Sequence, residues 1–214
     1  MKLFHSIQRL SERLSAARAR EPVDADAIDQ SVLDAAGEPA RDLPAADHAA
    51  GTALDEIVRV ERVKNAEFYV GDLFRRKFGG DPPDYPIHFV AFYRFAPSRL
   101  QTIGYVHYMV FEDSYLCGGL VIDDRLYRRM ESRHRRVVRA AGGIAEILLR
   151  AAMVDLADAA AIWGYVGDLL SEKVNVRVGL RRTAHRYLMV HWSKPLAQED
   201  KDQRLARVAA LGPF

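Results

Sequence analysis

Two adjacent glycines, Gly142 and Gly143, stand directly before a run in which Ile144, Ile147, Leu148 and Ala151 recur at helical spacing, with Glu146 and Arg150 on the other side. The pattern predicts an amphipathic helix opened by glycine. A helix N-terminus leaves backbone N–H groups without partners and carries the positive end of the macrodipole, so it suits an anion, typically a phosphate. Arg125, Arg128, Arg129, Arg133, His134, Arg135, Arg136 and Arg139 crowd the stretch just before it. Guanidinium groups there would add charged donors, a combination suited to a pyrophosphate or a ribose phosphate. Both features also have a plain reading, with Gly-Gly as a turn and the arginines as a solvated helix face.

The elements that must position these residues follow from patterning. Residues from Leu54 to Phe78 read as one or two helices ending at Gly79-Gly80, and Asp81-Pro82-Pro83-Asp84 breaks the chain. Three strand-like runs follow, His88 to Phe95, Leu100 to Phe111 and Tyr115 to Ile122, with short turns that predict an antiparallel meander. The Gly143 helix then leads to a short apolar run, Ala159 to Val166, which reads as a buried strand after a crossover and hence as a parallel neighbour. Asp168 to Val178 is predicted helical with Gly179 as its C-terminal cap, and Tyr187 to Trp192 is a last strand. The segment 195–214 reads as a polar tail with a short helix at most.

Residues 1–20 carry Leu3, Phe4, Ile7, Leu10 and Leu14 on one helical face, ringed by Lys2, Arg9, Arg13 and Arg18. They predict a basic amphipathic helix for self-packing, partner docking or a membrane surface. Residues 21–52 are rich in aspartate, alanine and proline and poor in large apolar side chains, so a disordered acidic linker is expected. The folded domain is placed at 53–194.

The 214 residues carry a formal net charge of +2, so no global polyanion partner is implied. The one cysteine, Cys117, excludes an internal disulfide and any cysteine-rich metal site, and its apolar surroundings predict core packing. His185 and His191 lack zinc-ligand spacing, so no metal is expected. No apolar run approaches the roughly 20 residues of a membrane span, and no secretory h-region is visible. A soluble, cytoplasmic protein is expected.

The order of elements, together with Gly143-Ile144-Ala145 followed by Leu148-Leu149, and Gly179-Leu180 near the end, resembles the GNAT acyltransferase superfamily over about Leu54 to Trp192. The resemblance implies an α/β fold: a GNAT-like mixed sheet, an antiparallel meander plus a parallel strand, flanked by helices. It implies N-acyl transfer from acetyl-CoA, a longer acyl-CoA or an acyl carrier protein to a small-molecule amine or protein acceptor. The pyrophosphate would rest on Gly142, Gly143, Ile144 and Ala145, with charge from Arg136 and Arg139, and the pantetheine arm along the strand end at Val121 and Ile122. Two positions depart from the family pattern. The leading Gln/Arg position falls on Ala140, with Arg139 one residue early, and the tyrosine that serves as general acid is Asn175. An amide cannot donate a proton as a phenol does, so Tyr165 is the candidate acid. Glu112 is the candidate base, with turn chemistry as its plain reading. His107 could also act as a base, although a lone strand histidine more often packs. Two other readings stay open: a catalytically degenerate member that binds a ligand or partner, and nucleic-acid binding through 125–139. The latter ranks last, because no aromatics interleave with the arginines.

Overall fold

The computed structural model describes residues 54–96 and 98–214, and the expectations for 1–20 and 21–52 lie outside the described residues. Seven strands form one sheet: β1 (Val58–Val63), β2 (Ile87–Ala96), β3 (Arg99–Phe111), β4 (Ser114–Ile122), β5 (Ala161–Tyr165), β6 (Arg181–Arg182) and β7 (Leu188–Trp192). Their spatial order is β1-β2-β3-β4-β5-β7-β6, and every pair is antiparallel except β4 with β5. The fold is therefore the mixed α/β sheet expected, an antiparallel meander joined to a parallel strand and flanked by helices.

One element differs in kind. The stretch expected to be wholly helical up to Phe78 instead yields β1 and then helix α1 (Ala66–Phe78). Val58, Val60 and Val63 are β-branched and pair with Tyr93, Ala91 and His88, so the sheet edge overrides a spacing that also fits a helix. Asn65 caps α1 by accepting from the Phe68 N–H at 3.0 Å, and Gly79 ends it at φ +74°.

The core lies on both faces of the sheet. On one face α1 lays Val70, Leu73 and Phe74 over Val90, Tyr105 and Val121. On the other, helix α4 (Ile144–Asp155) buries Ile144, Leu148, Leu149 and Ala152 against Phe89, Val106, Tyr108 and Ile162. Helix α5 (Leu169–Arg177) packs beside α4, tied to it by the Arg177–Glu146 ion pair.

The arginine-rich connection is two short helices, α2 (Asp124–Arg129) and α3 (Ser132–Ala140). Asp123 caps α2 and also meets Arg76 of α1 at 2.9 Å, while Asp124 meets Lys77 at 2.9 Å. Met130 and Val138 are buried, so the insert is stapled to the domain by two apolar side chains and two ion pairs while most of its arginines face solvent.

The segment after Lys194 is more ordered than its polarity suggests. Helix α6 (Gln198–Ala209) reaches back to the β3–β4 turn, with Arg204 on Asp113 at 2.7 Å and Arg207 on Glu112 at 3.0 Å. Val208 and Phe214 are buried. Truncating Val208 to alanine is expected to lower stability by about 1–2 kcal/mol, measured by urea unfolding; a change near zero would mean that α6 is not docked in solution.

Candidate functional site

The parallel ladder between β4 and β5 is short. Ser114 to Cys117 pair with Ala161 to Gly164, and there the pairing stops. Beyond it β4 runs on from Gly118 to Ile122 bound only to β3, and β5 turns to β7 through Tyr165 and Leu188. A strand directs backbone groups to both sides, so this part of β4 presents N–H and C=O groups to the gap. A β-bulge marks the point of departure. His107 pairs with Gly119 and Tyr108 with Cys117, leaving Gly118 as the extra residue.

The α4 N-terminus lies at the same end of β4. A Cβ on Gly104, the β3 partner of Ile122, would come within 3.0 Å of the Ile144 side chain, so glycine there lets α4 seat its first residue on the sheet. The chain enters α4 through Gly142 at φ +88° and Gly143 at φ +89°, conformations that favour glycine. The Gly142 N–H donates to the Arg139 carbonyl at 3.0 Å and the Gly143 N–H to that of Val138 at 2.8 Å. These two glycines thus shape the site but do not offer their own N–H groups, contrary to the expectation for them. The N–H groups of Ile144, Ala145 and Glu146 have no acceptor among the described residues and are the donors available to an anion. Arg136 and Arg139 are exposed on α3 and make no side-chain hydrogen bond or ion pair with a described residue. Val121 buries its side chain under α1, leaving its backbone, with that of Ile122, as what it offers the gap.

Glu146 is not on the solvent side of α4, as its spacing suggests, but buried at 6% exposure. Its carboxylate accepts from Arg150 at 2.6 Å and Arg177 at 2.7 Å. Burial alone would raise its pKa, and the two guanidinium hydrogen bonds outweigh that and lower it. Two arginines thereby neutralise the one carboxylate in the first turn, which would otherwise repel an anion.

The two expected catalytic residues separate. Tyr165 lies one residue past the end of the ladder, on the face of the sheet opposite α4, its ring near those of Tyr187 and Phe214 and its hydroxyl without a hydrogen-bond partner among the described residues. Glu112 sits at the far end of β4, in the two-residue β3–β4 turn, at φ +54° and paired with Arg207. That turn calls for positive φ, so turn geometry accounts for the residue, and the structure does not bring it to the gap. Asn175 spends its side-chain N–H on the Ser171 carbonyl at 2.8 Å. Cys117 is on the α4 face, and burial pushes its thiol up to about 12, so it packs and is not a nucleophile.

His107, weighed in the sequence as a base or a packing residue, stands beside the gap. His107 is 1% exposed, and neither ring nitrogen has a hydrogen-bond partner among the described residues. Burial, with nearby His88, pushes its pKa down to about 3. A Cβ on Gly118 would lie 2.6 Å from His107 Nε2 and one on Gly119 3.0 Å from Cε1, so the imidazole fills the space these glycines leave. His88 Nδ1 and the Tyr105 hydroxyl are 2.8 Å apart beside it, and Tyr85 covers it with ring centroids 5.0 Å apart. The Gly118-Gly119 pair was the available sequence signal, since two glycines in a strand mark a bulge or a close approach. A groove bordered by Phe68, Tyr69, Phe92 and Leu100 lies over the outer strands and α1, away from the gap.

No protein-family model and no curated protein matches the sequence. Solved structures do. The ribosomal-protein-S18-alanine N-acetyltransferase from Escherichia coli is 9% identical, over 66% of this chain and 97% of that chain, with a TM-score of 0.45. A GNAT family acetyltransferase from Brucella melitensis in complex with acetyl-CoA is 14% identical, over 65% and 90%, with a TM-score of 0.42. AtaT complexed with acetyl-methionyl-tRNAfMet is 12% identical, over 70% and 99%, with a TM-score of 0.36. Identities this low speak to fold alone, and the GNAT-like description rests on this chain's own strand order and gap.

Two predictions test the site's construction. Gly143→Ala is expected to cost about 1–3 kcal/mol from backbone strain. Gly142→Ala should cost more, because its Cβ would fall on the Glu146 carboxylate. In a Glu146→Ala background that excess should shrink, and additive costs in the unfolding cycle would contradict the contact. The second concerns His107. Its folded pKa lies below the ordinary 6.5, so its neutral burial is favourable above that value and stability falls as pH drops from about 6.5 toward 3. The slope should be up to about 1.4 kcal/mol per pH unit, and His107→Leu should lose it; an unchanged slope would place the imidazole in water.

Proposed function

We propose that this chain is an N-acyltransferase that takes an acyl group from acetyl-CoA or a longer acyl-CoA and passes it to an amine. The observation that carries the reading is one coincidence of geometry. The β4–β5 ladder ends at the same end of the sheet where α4 offers three unpaired N–H groups, so an extended thioester can lie in the gap with its phosphates at the helix.

The residues fit such a co-substrate. Ile144, Ala145 and Glu146 N–H groups bind the pyrophosphate, and Arg136 and Arg139 add charge. Backbone groups of β4 through Val121 and Ile122 hold the pantetheine arm as another strand would. Catalysis comes chiefly from orienting amine against thioester, with Tyr165 beside the gap as donor to the departing thiolate. The acceptor is a small-molecule amine or a protein.

Calorimetry with acetyl-CoA and longer acyl-CoAs tests this. A dissociation constant in the range of about 1 μM to 1 mM is expected. The Arg136→Ala/Arg139→Ala double variant should bind at least about tenfold more weakly, as loss of one or two charge-assisted contacts requires. No heat at millimolar ligand would refute the reading.

A further inference from the structure

We propose that His107 is the general base that takes the proton from the attacking amine, reached when the Tyr85 side chain turns aside. The inference rests on the acyltransferase reading and supplies the base that Glu112 does not.

Three structural observations lead there. First, β4 brings no base to the gap: from Leu116 to Ile122 its only titratable side chain is Cys117, half-buried on the α4 face. Second, the ring standing over β4 where it leaves β5 comes from β3. Gly118 and Gly119 lack side chains, and the His107 imidazole occupies their space, with Nε2 above the bulge residue. Third, both nitrogens of that ring are buried with no partner among the described residues, an arrangement that costs stability and is explained when a ligand supplies the missing hydrogen bond. Sheet register places the ring on the same face as Tyr165, across the gap from it. His107 shares its face with Tyr105 and Val121, and Leu116 on that face pairs with Trp163, two residues before Tyr165.

The step balances as ordinary aminolysis. The amine nitrogen forms its bond to the thioester carbonyl carbon, its N–H proton passes to His107 Nε2, and the C–S bond breaks. The thiolate leaves with a proton from Tyr165, which the imidazolium restores through water. The groups facing His107 are Tyr85 from the preceding loop, His88 from β2, Tyr105 from β3 and Phe74 from α1, with Asp84 acting on His88. Burial lowers the pKa of both histidines, so both are neutral and an acceptor lone pair is present at pH 7. Tyr85 follows Gly79-Gly80 and lies between Pro83 and Pro86, in a segment without helix or strand that can turn without unpacking the sheet.

The test uses the full chain, acetyl-CoA, and hydroxylamine as a small acceptor that is neutral at pH 7, following release of CoA thiol. The wild type should accelerate transfer over the uncatalysed mixture. His107→Gln should bind acetyl-CoA within twofold of wild type yet lose about 10²-fold in kcat, as removal of a general base does. Added imidazole should restore part of the rate in His107→Ala. Two results overturn the proposal while leaving acyl-CoA binding intact: a wild type that binds acetyl-CoA without acceleration, or a His107→Gln variant that keeps its rate. A wild type that binds no acetyl-CoA refutes the underlying reading instead. Tyr85→Ala guards against a misfolded His107 variant. Diethyl pyrocarbonate modification of His107, read by peptide mass, should rise at least tenfold in it, and an unchanged rate would refute access past Tyr85.

Discussion

The structure depends on a ladder that stops early. β4 and β5 share four residue pairs, and the bulge at Gly118 turns β4 away where the fifth would form. A longer ladder would close the sheet and leave no opening. Because parallel strands need a crossover, the same topology sends the chain from the end of β4 over the sheet and returns it as α4, whose N-terminus faces the opening. The gap and the helix end with its free N–H groups are thus consequences of one connection.

Holding that helix end in place falls to a buried carboxylate. Glu146 joins α4 to α5 through Arg150 and Arg177, and the Arg150 guanidinium also donates to the Arg177 carbonyl at 2.8 Å. A buried charge is tolerable only when paired, and here two guanidinium groups do so at the rim, where water still reaches them. The carboxylate occupies the space beside residue 142, so glycine is required there for room as well as for its positive φ. The arginine insert is likewise fixed from elsewhere, by Arg76 and Lys77 of α1 reaching Asp123 and Asp124. Those contacts leave Arg136 and Arg139 unencumbered.

Much of this was legible in the sequence, for physical reasons that also explain the rest. The meander, the parallel strand and the α4 start are written in local periodicity and glycine placement, which a single chain displays. β1 was missed because Val58, Val60 and Val63 satisfy two periods at once, and only pairing with β2 decides between them. α6 read as a polar tail because its anchoring partners, Asp113 and Glu112, lie far away in sequence. The position of Glu112 was not legible, because a carboxylate beside a strand carries no sign of which end of the sheet it occupies. The surroundings of His107 were not legible, because they depend on two glycines of the next strand.

The central claim is that the α4 N-terminus and the outer edge of β4 form one acyl-CoA site. The most direct measurement is amide NMR of the 15N-labelled protein titrated with acetyl-CoA. The account predicts the largest shifts at the N–H groups of Ile144, Ala145 and Glu146 and along Gly118 to Ile122, with little change at Glu112. Shifts confined to the groove of Phe68, Tyr69 and Leu100, or no shifts at saturating ligand, would contradict it.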